Sequence, residues 1–159
     1  MINKAKGNRI RKYFLANHET VSIAESVTSG LLQLAFSTIA DAESFFQGGI
    51  TTYNIGQKYK HLQVEPIHAK SCNCVSALIA EQMAVHVCEL FSSDWGIGIT
   101  GYATPVRDSG NKLFCYYAIC HKGRIISADK IDGKKQPPLK VQETYADSVI
   151  EKFVECLGK

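Results

Sequence analysis

No run in this sequence approaches the roughly 20 apolar residues of a membrane-spanning helix. Its charged start, Met1–Gly7, is followed by no apolar segment of the kind that marks a secretory leader. Neither membrane anchoring nor export is expected. No repeat, low-complexity stretch or internal linker divides the chain. Charge of one sign is also scarce: 18 basic against 15 acidic residues leave a net +3. That is too little to argue for nucleic acid or a membrane surface, though it suits an anionic small molecule. Lys4, Lys6, Arg9, Arg11 and Lys12 lack interleaved aromatics and read as a solvated helix face. Neither a Gly-x-Ser-x-Gly elbow nor a Gly-x-x-x-x-Gly-Lys phosphate loop occurs. His61, His68, Cys72 and Cys74 lie close in sequence, but Cys-x-Cys with scattered histidines is not a zinc spacing. No metal or other cofactor is expected.

What is present fits one domain. A chain of 159 residues that is 45% hydrophobic can bury a core without crosslinks. Of the six cysteines, Cys88, Cys115, Cys120 and Cys156 sit in apolar periodic stretches, where cysteine behaves as a small hydrophobe. Reduced thiols in the cytoplasm follow. Periodicity predicts a helix over 8–18, with Ile10, Tyr13, Phe14 and Ala16 on one face. It predicts strands over 20–24 and 48–53, helices over 28–37 and 54–62, and leaves 42–46 open. A longer helix spans about 75–91, capped by Asn73 or Ser76, with Met83, Val87 and Leu90 inward. Residues 95–100 read as a buried strand, 102–111 as a loop, and 112–120 with 124–131 as a hairpin. A final helix runs from Pro137-Pro138 to about Leu157. Early alternation of helix and strand with a late hairpin implies an α/β fold, a three-layer α/β/α sandwich on a mixed sheet, as a single domain.

Two segments carry chemistry. The run Ala24-Glu25-Ser26-Val27-Thr28-Ser29-Gly30 places hydroxyls at a strand-to-helix corner. Ser26 or Thr28 can cap the helix, the 28–30 backbone can cradle an anion, or Ser26 can be a nucleophile if a base lies within reach. The second segment ends a strand at Tyr53 and carries Lys58 one helical turn into the next element. A partly desolvated lysine can serve as a base, and a tyrosine can orient or relay its proton; the plain alternative is a solvated lysine and a strand-end aromatic.

In order and distance, these segments resemble the C-terminal domain of competence/damage-inducible protein CinA, the nicotinamide mononucleotide deamidase family. The residues that carry the resemblance are Ala24-Glu25-Ser26-Val27-Thr28-Ser29-Gly30, then Gly49-Ile50-Thr51-Thr52-Tyr53 with Lys58, then Val75-Ser76, then Thr100-Gly101-Tyr102-Ala103-Thr104-Pro105. It covers about residue 9 to the end, with a core of about 8–157. It implies metal-independent hydrolysis of a nucleotide substrate, nicotinamide mononucleotide, to nicotinate mononucleotide and ammonia, a step of pyridine nucleotide salvage. Ser26 would be the nucleophile, Lys58 its base and Tyr53 their partner. Glu25, Thr28, Gly30, Thr100 and Gly101 would shape or line the substrate site. The family arginine near the last helix is missing from Lys134–Lys140, where Lys140 would stand in as a point charge. Val27, Ser29, Ile55, Tyr102 and Thr104 also depart from the family pattern. The resemblance further implies a homo-oligomer and a possible separate N-terminal CinA-type domain as partner. The competing expectation is a CinA-like ligand-binding or oligomerising module without turnover.

Overall fold

A computed structural model describes residues 2–158. The elements run α1 (Lys4–Asn17), β1 (Val21–Glu25), α2 (Leu31–Ser37), β2 (Phe46–Thr51), α3 (Ile55–Leu62), α4 (Pro66–Ser71) and α5 (Ala77–Phe91), followed by β3 (Trp95–Tyr102), β4 (Phe114–His121), β5 (Arg124–Asp132) and α6 (Pro138–Cys156). The sheet order is β2-β1-β3-β4-β5. β1 pairs in parallel with both β2 and β3, and the β4–β5 hairpin adds antiparallel to β3. The sheet is mixed and has helices on both faces, as expected.

Alternation in β3 decides which helices lie where. Trp95, Ile97 and Ile99 face one layer and pack with Ile10, Phe14, Leu32, Phe36, Tyr145, Val149 and Phe153 from α1, α2 and α6. Gly96 and Gly98 face the other layer. A Cβ on Gly96 would stand 2.1 Å from Ala84 O, and one on Gly98 would stand 2.3 Å from Ala80 O. The two glycines therefore let α5 lie directly on the sheet. Leu62, Val64, Ala69, Ile79, Met83 and Val87 complete that layer with α3 and α4. No helix among the described residues is long and apolar enough to cross a membrane.

Several element bounds differ from the sequence expectation for identifiable reasons. The first helix begins at Lys4 because the Asn3 side chain accepts from Lys6 N at 2.9 Å; Ala16 is exposed rather than on the buried face. α2 starts at Leu31, not Thr28, because Ser29 and Gly30 are left-handed, with φ of 52° and 101°. The open segment at 42–46 forms a single 3₁₀ turn, Ala42–Ser44, before β2. α4 was not expected; Pro66 starts it, and the Glu65 carboxylate accepts from Ile67 N and His68 N at 2.9 and 2.6 Å. Ser76, not Asn73, caps α5, accepting from Ile79 N at 3.2 Å. The buried stripe of that helix runs through residues 79/80, 83/84 and 87/88, so its next inward position is Phe91, and Leu90 is exposed.

Candidate active site

Because β1, β2 and β3 are parallel, their C-terminal ends emerge on one side of the sheet, where ligands of such sheets bind. Those ends deliver Ser26 after β1, Thr52-Tyr53 after β2 and Thr100–Tyr102 at the close of β3. Together with the turn before α5 and the start of α6 they line a cavity of about 460 Å³.

At its floor Ser26 and Lys58 meet. Asn54 caps α3 by accepting from Gln57 N at 3.0 Å, which fixes the register of the helix that carries Lys58. The lysine is fully buried, and Nζ donates to Ser26 Oγ at 2.9 Å and to Thr52 O at 2.8 Å. Burial pulls its pKa down from 10.5 to about 8, partly offset by the neighbouring Cys74 sulfur. Roughly a tenth of the amine is then neutral at pH 7 and able to accept a proton. Cys74 also lines the cavity, but burial raises its thiol pKa, which keeps it protonated and a poor rival to Ser26.

The corner around Ser26 is organised by the residue before it. Glu25 is fully buried, and its carboxylate accepts from Gly30 N at 3.1 Å, Leu32 N at 3.1 Å, Gln33 N at 2.8 Å and Gln33 Nε2 at 3.1 Å, and from the Thr28 hydroxyl. The cap of α2 is therefore Glu25, reaching across five residues of turn, and neither Ser26 nor Thr28. Thr28 donates instead of accepting. This carboxylate takes the N–H groups of Gly30, Leu32 and Gln33, and the Ser29 N–H donates to Ser26 O at 3.2 Å, so most of the anion cradle expected at residues 28–30 is occupied from within the protein. Two N–H groups of the turn have no acceptor among the described residues: that of Val27, which lines the cavity, and that of Thr28, which is buried outside the lining.

The remaining expected residues divide. Thr100 is buried beside the cavity, and its Oγ1 donates to Cys74 O at 2.7 Å, pinning a turn in which Asn73 and Cys74 both have left-handed φ of 49° and 61°. Gly101 lines the cavity, yet its need for no side chain lies behind it: a Cβ would stand 2.4 Å from Phe114 O of the paired strand. Tyr53 is 70% exposed at the rim and makes no hydrogen bond with Ser26 or Lys58. Glu25, Thr28 and Gly30 stand outside the lining. Lys140 also lies outside; it is exposed on α6 and pairs with Glu143 at 3.0 Å, because the helix turns Pro138 and Gln142, not residue 140, toward the cavity. Gln142 Nε2 donates to Val27 O at 2.8 Å and so ties α6 to the Ser26 turn.

Sequence reasoning missed Asn73, Asp108 and Gln142 as site residues. Asn73 Nδ2 donates to Asp108 Oδ2 at 3.0 Å and to Tyr102 Oη at 3.3 Å, so two loops and the end of β3 close around the cavity through one amide. Tyr102, one of the departures from the family pattern, is held within this wall. The imagined metal cluster is dispersed: His61 bonds Gln57, His68 bonds Ser76, and the Cys72 thiol points to His68 O. Among the described residues no group of three His, Cys, Asp or Glu side chains could hold a metal ion.

This is an α/β/α domain with a buried serine–lysine pair in a cleft at the ends of its parallel strands. A model of the CinA C-terminal domain matches residues 3–157, and the chain belongs to that family. It is 38% identical over 138 residues to a CinA-like protein of Microcystis aeruginosa, covering 85% of this chain and 33% of the relative. It is equally 38% identical over 133 residues to a competence-damage inducible protein of Moorella thermoacetica, covering 82% of this chain and 32% of the relative. The chain thus spans about a third of these relatives. Among solved structures, a competence or damage-inducible protein from Enterobacter asburiae superposes with a TM-score of 0.89 at 20% identity, covering 96% of each chain. One from Agrobacterium tumefaciens gives 0.88 at 22% identity, covering 98% of this chain and 94% of the other. At that identity the likeness is one of fold.

Proposed function

We propose that the chain hydrolyses a carboxamide, of the class to which nicotinamide mononucleotide belongs, through a covalent ester on Ser26. The observation that carries this reading is the 2.9 Å contact between Ser26 Oγ and a fully buried Lys58 with a pKa near 8. Neutral Lys58 keeps an N–H on Thr52 O and turns its lone pair to the Ser26 proton. As Oγ bonds to the amide carbon, that proton moves to Nζ and the carbonyl oxygen becomes an oxyanion beside the Val27 N–H. The ammonium of Lys58 then protonates the departing nitrogen, which leaves as ammonia. Water attacks the ester with Lys58 again as base; the Ser26–carbon bond breaks, Oγ regains a proton and the carboxylate is released.

The free cysteines Cys72, Cys74, Cys88, Cys115 and Cys120 suit a reducing compartment, so the cytoplasm is part of the proposal. So are self-association, which the family resemblance implies, and a separate N-terminal CinA-type domain as partner, which the additional sequence of the longer relatives supports. The test is ammonia release from pyridine carboxamides, nicotinamide mononucleotide included. Loss of roughly 1,000-fold or more is expected for both Ser26→Ala and Lys58→Ala. A wild-type protein inert toward every amide would favour a binding module without turnover.

A further inference from the structure

Cys88 and Cys120 stand apart from the cleft, and neither lines it. Cys120 lies on β4 directly opposite Gly96 of β3. Side chains at opposed positions share one face of a sheet, with Cβ atoms about 5 Å apart. Gly96 has no side chain to cover its part of that face, and α5 covers it instead: Cys88 Sγ stands 2.6 Å from where a Gly96 Cβ would be. The missing side chain thus brings a helix thiol down beside a strand thiol, and the two hydrogen-bond to each other. Ala80, Ala84 and Ala118 complete this small cluster, and none is large enough to wedge the sulfurs apart.

The two thiols are not equivalent. The Cys88 S–H and the Gly123 N–H both donate to the Cys120 sulfur, which draws its pKa from 9.0 down to about 7 against the opposing effect of burial. The same contact, with burial, pushes the Cys88 thiol well up. At neutral pH about half of Cys120 is thiolate, facing a thiol that keeps its proton. A thiolate with a second thiol in contact is the arrangement of an attacking and a resolving cysteine. Other cysteines are placed differently: the Cys72 thiol donates to His68 O, and burial raises Cys74 and Cys115. Access is narrow, since Cys88 is 8% exposed and Cys120 fully buried. A small oxidant can reach the pair past Cys88, and a bulky one is shut out.

We propose that Cys88 and Cys120 form an oxidisable dithiol whose oxidant is hydrogen peroxide and whose product is a disulfide joining α5 to β4. The Cys120 thiolate attacks one peroxide oxygen; the O–O bond breaks, hydroxide leaves with the bonding pair, and Cys120 becomes a sulfenic acid. The Cys88 sulfur then attacks the Cys120 sulfur. As the S–S bond forms the S–O bond breaks, and the hydroxyl leaves with the Cys88 proton as water. Two electrons pass from the thiols to one peroxide, and a thiol reductant reverses the change.

The test treats the freshly reduced, folded chain with a few equivalents of hydrogen peroxide, caps remaining thiols under denaturing conditions and maps peptides without reductant. The expected product is a peptide pair linked through Cys88 and Cys120 and separated again by dithiothreitol. It should form about tenfold faster at pH 8 than at pH 6, following the Cys120 thiolate. Cys74→Ala should keep the link. Cys88→Ala should lose it and leave Cys120 as a sulfenic acid that dimedone captures. The wild-type and Cys74→Ala measurements decide the matter even if Cys88→Ala does not fold. A link through Cys72, Cys74 or Cys115 instead, wild-type Cys120 stopping at a sulfenic or sulfinic acid, or both thiols staying reduced at these doses overturns the proposal.

Discussion

Glu25 and Ser26 are neighbours in the chain and serve different partners. The Glu25 carboxylate closes the N-terminus of α2, accepting from Gly30 N, Leu32 N and Gln33 N, while the Ser26 hydroxyl accepts from Lys58 Nζ at 2.9 Å. The acid thus fixes the turn from which the hydroxyl is presented. It also removes the helix end as an anion site, leaving the Val27 N–H without an acceptor among the described residues beside Ser26.

Glu25→Gln is expected to cost about 2–3 kcal/mol of stability. Its amide would replace one buried acceptor oxygen with a donor facing backbone N–H groups. Urea unfolding measures this, and an unchanged midpoint would show that the cap does not hold the turn.

Lys58 gives stability a defined pH dependence. Its pKa is lowered on folding, from 10.5 to about 8, so between those values the unfolded lysine holds a proton that the folded one has lost. Unfolding then takes up a proton at this site, so the Lys58 contribution to stability rises with pH across that window, against the opposite trend above 9 of the buried Cys74, Cys88 and Cys115 thiols, whose pKa values folding raises. The gain is complete above 10.5, absent below 8, and about 3 kcal/mol in all. Lys58→Met should lack this rise when unfolding free energies are compared through the window. Wild-type kcat/KM should likewise climb to a plateau above about pH 8.

Ser29 holds φ at 52°, a conformation that strains a residue with a Cβ. Ser29→Gly relieves the strain but loosens the unfolded chain, so a net gain of about 0.5 kcal/mol is expected. Thermal unfolding would register it as a small rise in Tm; a fall would mean that the serine side chain makes an offsetting contribution.

Thr52 holds Lys58 through its carbonyl, yet its own hydroxyl is buried without a partner among the described residues. Thr52→Val should therefore stabilise the protein by about 1 kcal/mol while leaving amide cleavage nearly unchanged. A marked loss of stability would reveal a bond to that hydroxyl.

Hydrophobic period and turn residues made most of the architecture legible, because alternation in β3 and the three-to-four spacing of α6 follow from burial on one face. The Ser26 and Lys58 segments were legible as motifs. What joined them was not, since it depends on β1 and β2 pairing in parallel. The roles of Glu25 and Asp108 were hidden for a related reason. A cap normally lies next to its helix, whereas Glu25 reaches past two left-handed residues; Asp108 is held by Asn73 from 35 positions away. Lys140 was misplaced because its rotation on α6 is set by packing that no local pattern records. α4, at six residues, is too short for periodicity, although Glu65-Pro66 marked its start.

The central claim is that Ser26, activated by Lys58, bonds covalently to the amide carbon. Rapid acid quench during turnover, followed by mass spectrometry of the peptide containing Ser26, tests it most directly. The account predicts an added acyl mass on Ser26 in the wild type and none in Ser26→Ala or Lys58→Ala. Turnover with Ser26 unmodified, or an acyl group carried by another residue such as Cys74, would contradict it.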